Sequence, residues 1–265
     1  MKELVQQQFG DKAAAYATST VHAKGASLAR VVELLQPQPS WRVLDVATAA
    51  GHTAHALAPH VAYVVATDLT YNMLPKARQL AAERGLLNEE FGAADAELLP
   101  FADGSFDVVA CRIAPHHFPD VPQFVRESTR VLRPNGWLVV VDNIVPDVRS
   151  RKKKEREAQQ AAGDYINGFE KLRDPSHGRC LSVLEWRNLF TAVGLRVAHT
   201  ETAAKAMEFA DWAARMRVST ADTTRLRVML TQASTLVEQF LTPTFTGDRI
   251  DFHLHEAILI GQKPT

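Results

Sequence analysis

Two hydrophobic rhythms alternate along the first half of the chain. Short apolar runs occur at Arg42 to Val46, Val61 to Thr67, Asn88 to Gly92, Phe106 to Cys111 and Trp137 to Val141. Each has the length of a strand, and the second is apolar at successive positions, as in a parallel strand covered by helices on both faces. Between the runs, apolar residues return every three or four positions. Leu28, Val31, Val32 and Leu35 mark one helix face, which Pro37-Gln38-Pro39-Ser40 ends. Further helices are predicted from about Gly51 to Ala58, Thr70 to Arg84 and Val121 to Leu132, with Pro75 near the fifth position of the Thr70 helix. Strands alternating with helices at this spacing predict a doubly wound, mostly parallel α/β sheet. Its ligands would bind beyond the carboxyl ends of the strands, where strand order reverses.

The second half is more helical. Ser182-Val183-Leu184-Glu185 has the pattern of a capping box, and Trp186, Leu189, Phe190 and Val193 then mark a buried face. A strand is predicted from Leu195 to Thr200, helical stretches from Glu208 to Val218 and Ala221 to Phe240, and a last apolar strand from Ala257 to Ile260. Residues 1–20 are polar and alanine-rich, a helical or mobile arm lying over the core, with Tyr16 its notable aromatic. The expected organisation is a single domain over 1–265: an N-terminal helical arm (1–36), a ligand-binding core (41–142), and substrate-side helices with C-terminal strands (143–265).

Composition narrows the function. Lys plus Arg and Asp plus Glu both number 30, so the formal charge is zero and no long-range field gathers nucleic acid or anionic membrane. The basic cluster Arg149, Arg151, Lys152, Lys153, Lys154 and Arg156 then reads as a solvated helix face. Two cysteines, Cys111 and Cys180, are too few for a disulfide framework and fit a reducing compartment. The N-terminus lacks the apolar core of a signal peptide, and no run of about 20 apolar residues could span a bilayer. A cytoplasmic protein without membrane insertion is expected.

The candidate chemistry starts at Val43-Leu44-Asp45-Val46-Ala47-Thr48-Ala49-Ala50-Gly51-His52, a buried strand, a turn of small residues and a helix start. Small residues let a ligand approach the backbone closely. Asp45, Asp68 and Asp95 close or follow the first three strands, so in a parallel sheet they converge on one edge. A carboxylate at the end of the second strand can accept both hydroxyls of a ribose, which fits any adenosine-containing cofactor. A nicotinamide dinucleotide site would carry three glycines in Gly-x-Gly-x-x-Gly, whereas this turn has an acid two residues ahead of Ala47-Thr48-Ala49-Ala50-Gly51.

These motifs resemble the class I S-adenosylmethionine-dependent methyltransferases, most closely the ubiquinone/menaquinone-biosynthesis C-methyltransferase type (methyltransferase domain 11-like). Asp68-Leu69-Thr70-Tyr71-Asn72-Met73-Leu74, Asp95-Ala96-Glu97-Leu98-Leu99-Pro100-Phe101, Phe106-Asp107-Val108-Val109, His116-His117-Phe118 and Val131-Leu132-Arg133-Pro134-Asn135-Gly136 extend the likeness over about residues 41–142. Leu172-Arg173-Asp174-Pro175-Ser176-His177 and Ala257-Ile258-Leu259-Ile260 look like a bacterial subgroup of largely unassigned methyltransferases.

The resemblance implies a Rossmann-like, seven-stranded sheet whose last strand is antiparallel and inserted beside the fifth. It implies that S-adenosylmethionine is the cofactor and S-adenosylhomocysteine its product. Asp45 would order the turn, with Ala47 and Gly51 giving close backbone approach. Asp68 would bind the ribose, Leu69 and Met73 flank the adenine, Asp95 and the Ala96 backbone meet its amino group, and Arg112 contribute mainly through its backbone. Ala49 stands where the family usually has glycine; a positive φ there would cost about 1 kcal/mol.

Methyl transfer from a sulfonium is an in-line displacement that rests mostly on positioning. A base is needed only if the nucleophile must lose a proton, and His116 and His117 are the candidates, with structural hydrogen bonding or packing as the other reading. Arg173 and His177 would bind an anionic or phenolic substrate or form a salt-bridged turn; Asp142 and Asn143 would face substrate or merely finish the fifth strand. Tyr16 and His22 would line the cofactor from an N-terminal lid, or His22 would lie on a helix surface. Cys111 reads as a buried small hydrophobe. His52 and His55 read as surface residues, and no metal site is expected. The leading function is small-molecule methylation by a monomer or homodimer. A non-catalytic cofactor-binding relative and an RNA methyltransferase are the alternatives, the neutral charge weighing against RNA.

Overall fold

Strand β1 (Arg42–Val46) lies between two parallel partners, β2 (Tyr63–Asp68) and β4 (Phe106–Arg112), and the rest of the sheet grows outward from it. The computed structural model describes residues 2–10 and 26–265, so Tyr16 and His22 lie outside the described residues. On one side β2 pairs with β3 (Glu89–Ala93); on the other β4 pairs with β5 (Leu132–Asn143). β6 (Arg196–Glu208), the short β7 (Thr244–Thr246) and β8 (Arg249–Gln262) complete the described sheet. The order is β3-β2-β1-β4-β5-β8-β6, with β8 antiparallel to both β5 and β6 and β7 hairpinned onto β8. The expected mostly parallel sheet, with its last strand inserted antiparallel beside the fifth, is what forms. Strand order reverses between β1 and β4, and the turn after β1 opens at that point.

Alternating residues of the central strands feed two cores. Leu44, Val109, Leu138 and Val140 pack beneath α5 (Val121–Val131) and α7 (Val183–Ala192). Val43, Val64, Val108 and Val139 pack beneath α2 (Ala26–Leu35), α3 (His52–Leu57) and α4 (Leu74–Glu83). Both faces are covered, which is why the strands read as unbroken apolar runs. A third cluster joins the far end of β8 to α6 (Lys153–Arg173), α8 (Phe209–Arg215), α9 (Thr220–Thr231) and α10 (Thr235–Leu241). Helix α1 (Lys2–Gly10) precedes them all.

Several boundaries differ from the expectation. The Thr70 helix begins later: a 3-10 turn, Tyr71–Met73, leads into α4, which puts Pro75 in the first helical turn, where its missing N–H breaks no hydrogen bond. β6 runs on through the alanine-rich 202–207 because β8, itself far longer than Ala257–Ile260, supplies a partner residue by residue. The predicted Ala221 helix is two, α9 and α10, broken at 232–234. The capping box at Ser182 forms as expected, and the basic residues 151–154 and Arg156 are exposed. Among the described residues no helix is long and apolar enough to cross a membrane.

Candidate active site

The turn after β1 is held in an unusual conformation by acids from two strands. Ala47, Ala49 and Gly51 all take positive φ, at 56°, 48° and 83°. Alanine pays for this twice, by roughly 1 kcal/mol or more per residue, so something must hold the turn. Asp45 Oδ2 accepts from Thr48 Oγ1 at 2.5 Å and from the Ala54 N–H at 3.1 Å. Asp68 Oδ2 accepts from the Ala49 N–H at 2.8 Å, while its Oδ1 accepts from the Thr70 N–H at 2.7 Å. The Thr48 N–H donates to the Thr67 carbonyl at 2.9 Å. Asp45 is 1% exposed, and burial pushes its pKa up to about 7 against the hydrogen bonds of Thr48 and Ala54 and the charges of Arg112 and His55. Burial also raises that of Asp68.

Glycine at 51 is required by space as well as by φ, since a Cβ there would fall 2.5 Å from the His55 ring. His55 is not a surface residue. Its Nδ1 lies 2.8 Å from Glu89 Oε2, and both side chains are fully buried. His52 is buried too, at 6% exposure. The surface reading of both is thus corrected: α3 is enclosed between the sheet and its neighbours, and Glu89 at the start of β3 gives the His55 ring a partner. Asp95 Oδ1 accepts from the Glu97 N–H at 3.0 Å, and Lys2 Nζ on α1 sits 2.6 Å from both Asp95 Oδ2 and Glu97 Oε2. Gln6 Nε2 donates to the Leu69 carbonyl at 3.0 Å, so α1 does lie over this edge of the core.

A cavity of about 930 Å³ runs from this edge across the carboxyl ends of the strands. That is the upper end of the size of small-molecule sites, roughly 300–1,000 Å³. Ala47, Asp68, Leu69, Met73, Asp95, Ala96 and Arg112 line one half, and His116, His117, Asn143, Arg173 and His177 line the other. Asp45 and Gly51 stand behind the wall, shaping the turn. Arg112 reaches inward with its side chain, its Nε 3.2 Å from Thr53 Oγ1.

Past β4, Ile113 takes φ 54°, an uncommon value for a β-branched residue, and turns the chain into the 3-10 segment Pro115–His117. That segment sets three imidazoles together. His116 Nδ1 lies 2.6 Å from Asp142 Oδ1, which leaves Nε2 as its second ring nitrogen. Burial opposes charge on this ring, but the Asp142 charge and hydrogen bond, with Glu170 and Asp174, outweigh it and raise the pKa. His117 differs: its Nδ1–H donates to the Ser176 carbonyl at 3.0 Å, and burial and the His116 charge lower its pKa to about 3. His177 Nε2–H donates to Asn167 Oδ1 at 3.0 Å, and burial with both other histidines lowers its pKa to about 2. One ring is therefore poised to hold a proton and two stay neutral. Among the described residues no cluster of His, Cys, Asp or Glu is arranged to hold a metal ion.

Sequence reasoning missed the groups that finish this half. Glu170 on α6, Lys205 and Met207 on β6, Trp212 on α8 and Glu256 on β8 all line the cavity. Lys205 Nζ donates to Asn143 Oδ1 at 2.7 Å and lies 3.3 Å from Glu256 Oε2. Arg173 Nε donates to the Trp212 carbonyl at 3.1 Å, and the guanidinium stacks 4.6 Å above the Trp212 ring. The one available signal was the spacing of Glu170 and Arg173, which puts both on one face of a helix.

Comparison with known proteins identifies the family. A family model described as a methyltransferase domain matches residues 44–140. The chain is 37% identical over 184 residues to a Bacillus subtilis protein named "Uncharacterized methyltransferase YcgJ", covering 69% of this chain and 68% of that one. The crystal structure of the YcgJ protein superposes with a TM-score of 0.82 at 31% identity, over 90% of this chain and 98% of the other. A demethylmenaquinone methyltransferase of Thermus thermophilus is 40% identical over 115 residues, 43% of this chain and 52% of its own.

Proposed function

Because the chain belongs to the methyltransferase-domain family, we propose that it moves the methyl group of S-adenosylmethionine onto a small-molecule acceptor by in-line displacement. The observation that carries this reading is one continuous cavity, walled at one end by the Asp45-ordered turn, Asp68 and Asp95 and at the other by the His116–Asp142 pair.

The residues at the first end fit the cofactor. Asp68 accepts from the Ala49 and Thr70 N–H groups and from the Thr70 side chain, and as a cavity-lining carboxylate with about four acceptor positions it keeps capacity for a ribose hydroxyl. Leu69 and Met73 give apolar surfaces for the adenine, and Asp95 with the Ala96 backbone stands where its amino group would lie, with Lys2 sharing the carboxylate. Asp45 holds the turn from behind, and Ala47, Gly51 and Arg112 shape the methionine end. Two buried free thiols, Cys111 and Cys180, accord with a cytoplasmic enzyme, and residues 1–265 act as one domain.

When bound, S-adenosylmethionine supplies a methyl group already activated by its sulfonium. His116 takes the acceptor's proton at Nε2, and Asp142 stabilises the charged ring and fixes its tautomer. His117 and His177 stay neutral, so they border the acceptor without competing for the proton. Arg173 and Asn143 contact the acceptor from the far wall.

Incubation with methyl-labelled cofactor and a metabolite extract, followed by identification of the labelled product, tests the reading. Asp68→Ala should abolish labelling through lost cofactor binding, and His116→Ala should slow turnover with binding retained. A folded protein that binds neither S-adenosylmethionine nor S-adenosylhomocysteine in a calorimetric titration would end it.

A further inference from the structure

Helix α6 delivers to the acceptor half of the cavity a carboxylate that local structure does not use. Glu170 is 5% exposed and lines the cavity, following α6 residues Ile166 and Phe169, which belong to an apolar cluster. Its Oε1 is buried and accepts no hydrogen bond among the described residues. Oε2 stands 3.9 Å from Arg173 Nη1, too far for a hydrogen bond. Both nearby cations are turned elsewhere: Arg173 onto the carbonyl and ring of Trp212, Lys205 onto Asn143 and Glu256.

Taking a carboxylate out of water without donors is costly: burial raises the pKa of Glu170 against the charges of Arg173, His116 and Lys205, and a donor on a ligand would supply the partner this wall lacks. Glu170 is also close enough to His116 for its charge to favour the protonated ring, so both groups serve the same end of the cavity. Met207, Trp212, Met216 and Leu254 give this end apolar surface, beside the charged Glu208, Asp211 and Arg215.

We propose that Glu170 recognises the methyl acceptor by receiving a hydrogen bond from a hydroxyl or amine on a small molecule with an apolar body. The inference rests on the methyl-transfer reading of the cavity. It adds a rule of selection, since a molecule that presents an anion, or no donor, to Glu170 leaves the carboxylate repelled or still unpaired. The donor group is separate from, or adjacent to, the atom that meets His116, and the apolar body lies along Met207 and Trp212.

The test uses the full chain saturated with S-adenosylhomocysteine and four matched probes: 4-fluorobenzyl alcohol, 4-fluorobenzylamine, 4-fluorobenzoate and 4-fluorotoluene, followed by fluorine NMR line broadening. The alcohol, the amine or both should bind at least about tenfold more tightly than the benzoate and the toluene, and the tighter of the two identifies the donor. Glu170→Ala should erase the preference. Glu170→Gln should keep alcohol binding and lose the amine. Affinity for S-adenosylhomocysteine within about twofold of wild type shows that each variant is folded. Donor probes that bind no better than 4-fluorotoluene, or a preference that survives Glu170→Ala, overturn the proposal. Loss of S-adenosylhomocysteine binding by the wild-type protein overturns instead the reading on which it rests, and the proposal falls with it.

Discussion

Asp45→Asn separates the charge of the buried acid from its shape. Both hydrogen bonds of the carboxylate fall on Oδ2, from Thr48 Oγ1 and the Ala54 N–H, so a single amide oxygen in that place serves both. What the variant removes is titration. The folded pKa is about 7 against an ordinary 3.8, so between these values the folded state holds one proton more than the unfolded chain. Stability therefore falls as pH rises, by about 1.4 kcal/mol per unit and about 4 kcal/mol over the whole window. This contribution is fully present below about pH 4 and lost as pH passes about 7. In urea titrations without ligand, the unfolding free energy of the variant minus that of wild type should grow by about 4 kcal/mol from about pH 4 to about pH 8. The subtraction cancels every group the two proteins share. A difference that stays flat, or that grows toward acid, refutes the burial argument for Asp45.

Asp68→Asn should be far from conservative. Its two oxygens each accept a backbone N–H, and an amide must turn its NH₂ toward one of them. A loss of about 2 kcal/mol follows, seen as a fall of about 4–8 °C in the thermal midpoint without ligand; an unchanged midpoint would show that Asp68 does not hold the turn. Ala49→Gly trades relief of the φ 48° conformation against backbone entropy and should change stability by less than about 1 kcal/mol, whereas Ala49→Val should cost about 1–3 kcal/mol. Equal midpoints for the two variants would mean that position 49 carries no strain.

The parallel half of the fold was legible because its strands are short, apolar on both faces and punctuated by helices, and β1 was read to its exact bounds. The acids at the strand ends were legible for the same reason, since topology alone brings them to one edge. The half of the cavity around Glu170 and Lys205 was not. Glu170 sits in a helix whose many charges suggest a solvated surface, and only the packing of α6 against β8 and α8 turns that position inward. Lys205 and Met207 lie in an alanine-rich segment whose one β-branched residue is Thr202, so little local announces a strand; the partner about fifty residues later decides it. His52 and His55 misled in the opposite direction, because a polar residue on a short helix reads as exposed until Glu89, distant in sequence, is seen to pair with His55.

The insertion of β8 between β5 and β6 also has a consequence for how the molecule is made. Synthesis delivers β1 to β5 in the order in which neighbours can pair, so the wall holding Asp45, Asp68 and Asp95 can assemble while the chain is still growing. β6 pairs only with β8 in the described sheet, and Lys205 and Met207 have no place until residues 249–262 emerge. The end of the cavity walled by these acids can thus close early, while the end bordered by Lys205 and Met207 waits on a long-range pairing that is slow to form. A chain truncated before β8 would carry the more recognisable wall of the cavity but no partner to set Lys205 and Met207 into the other.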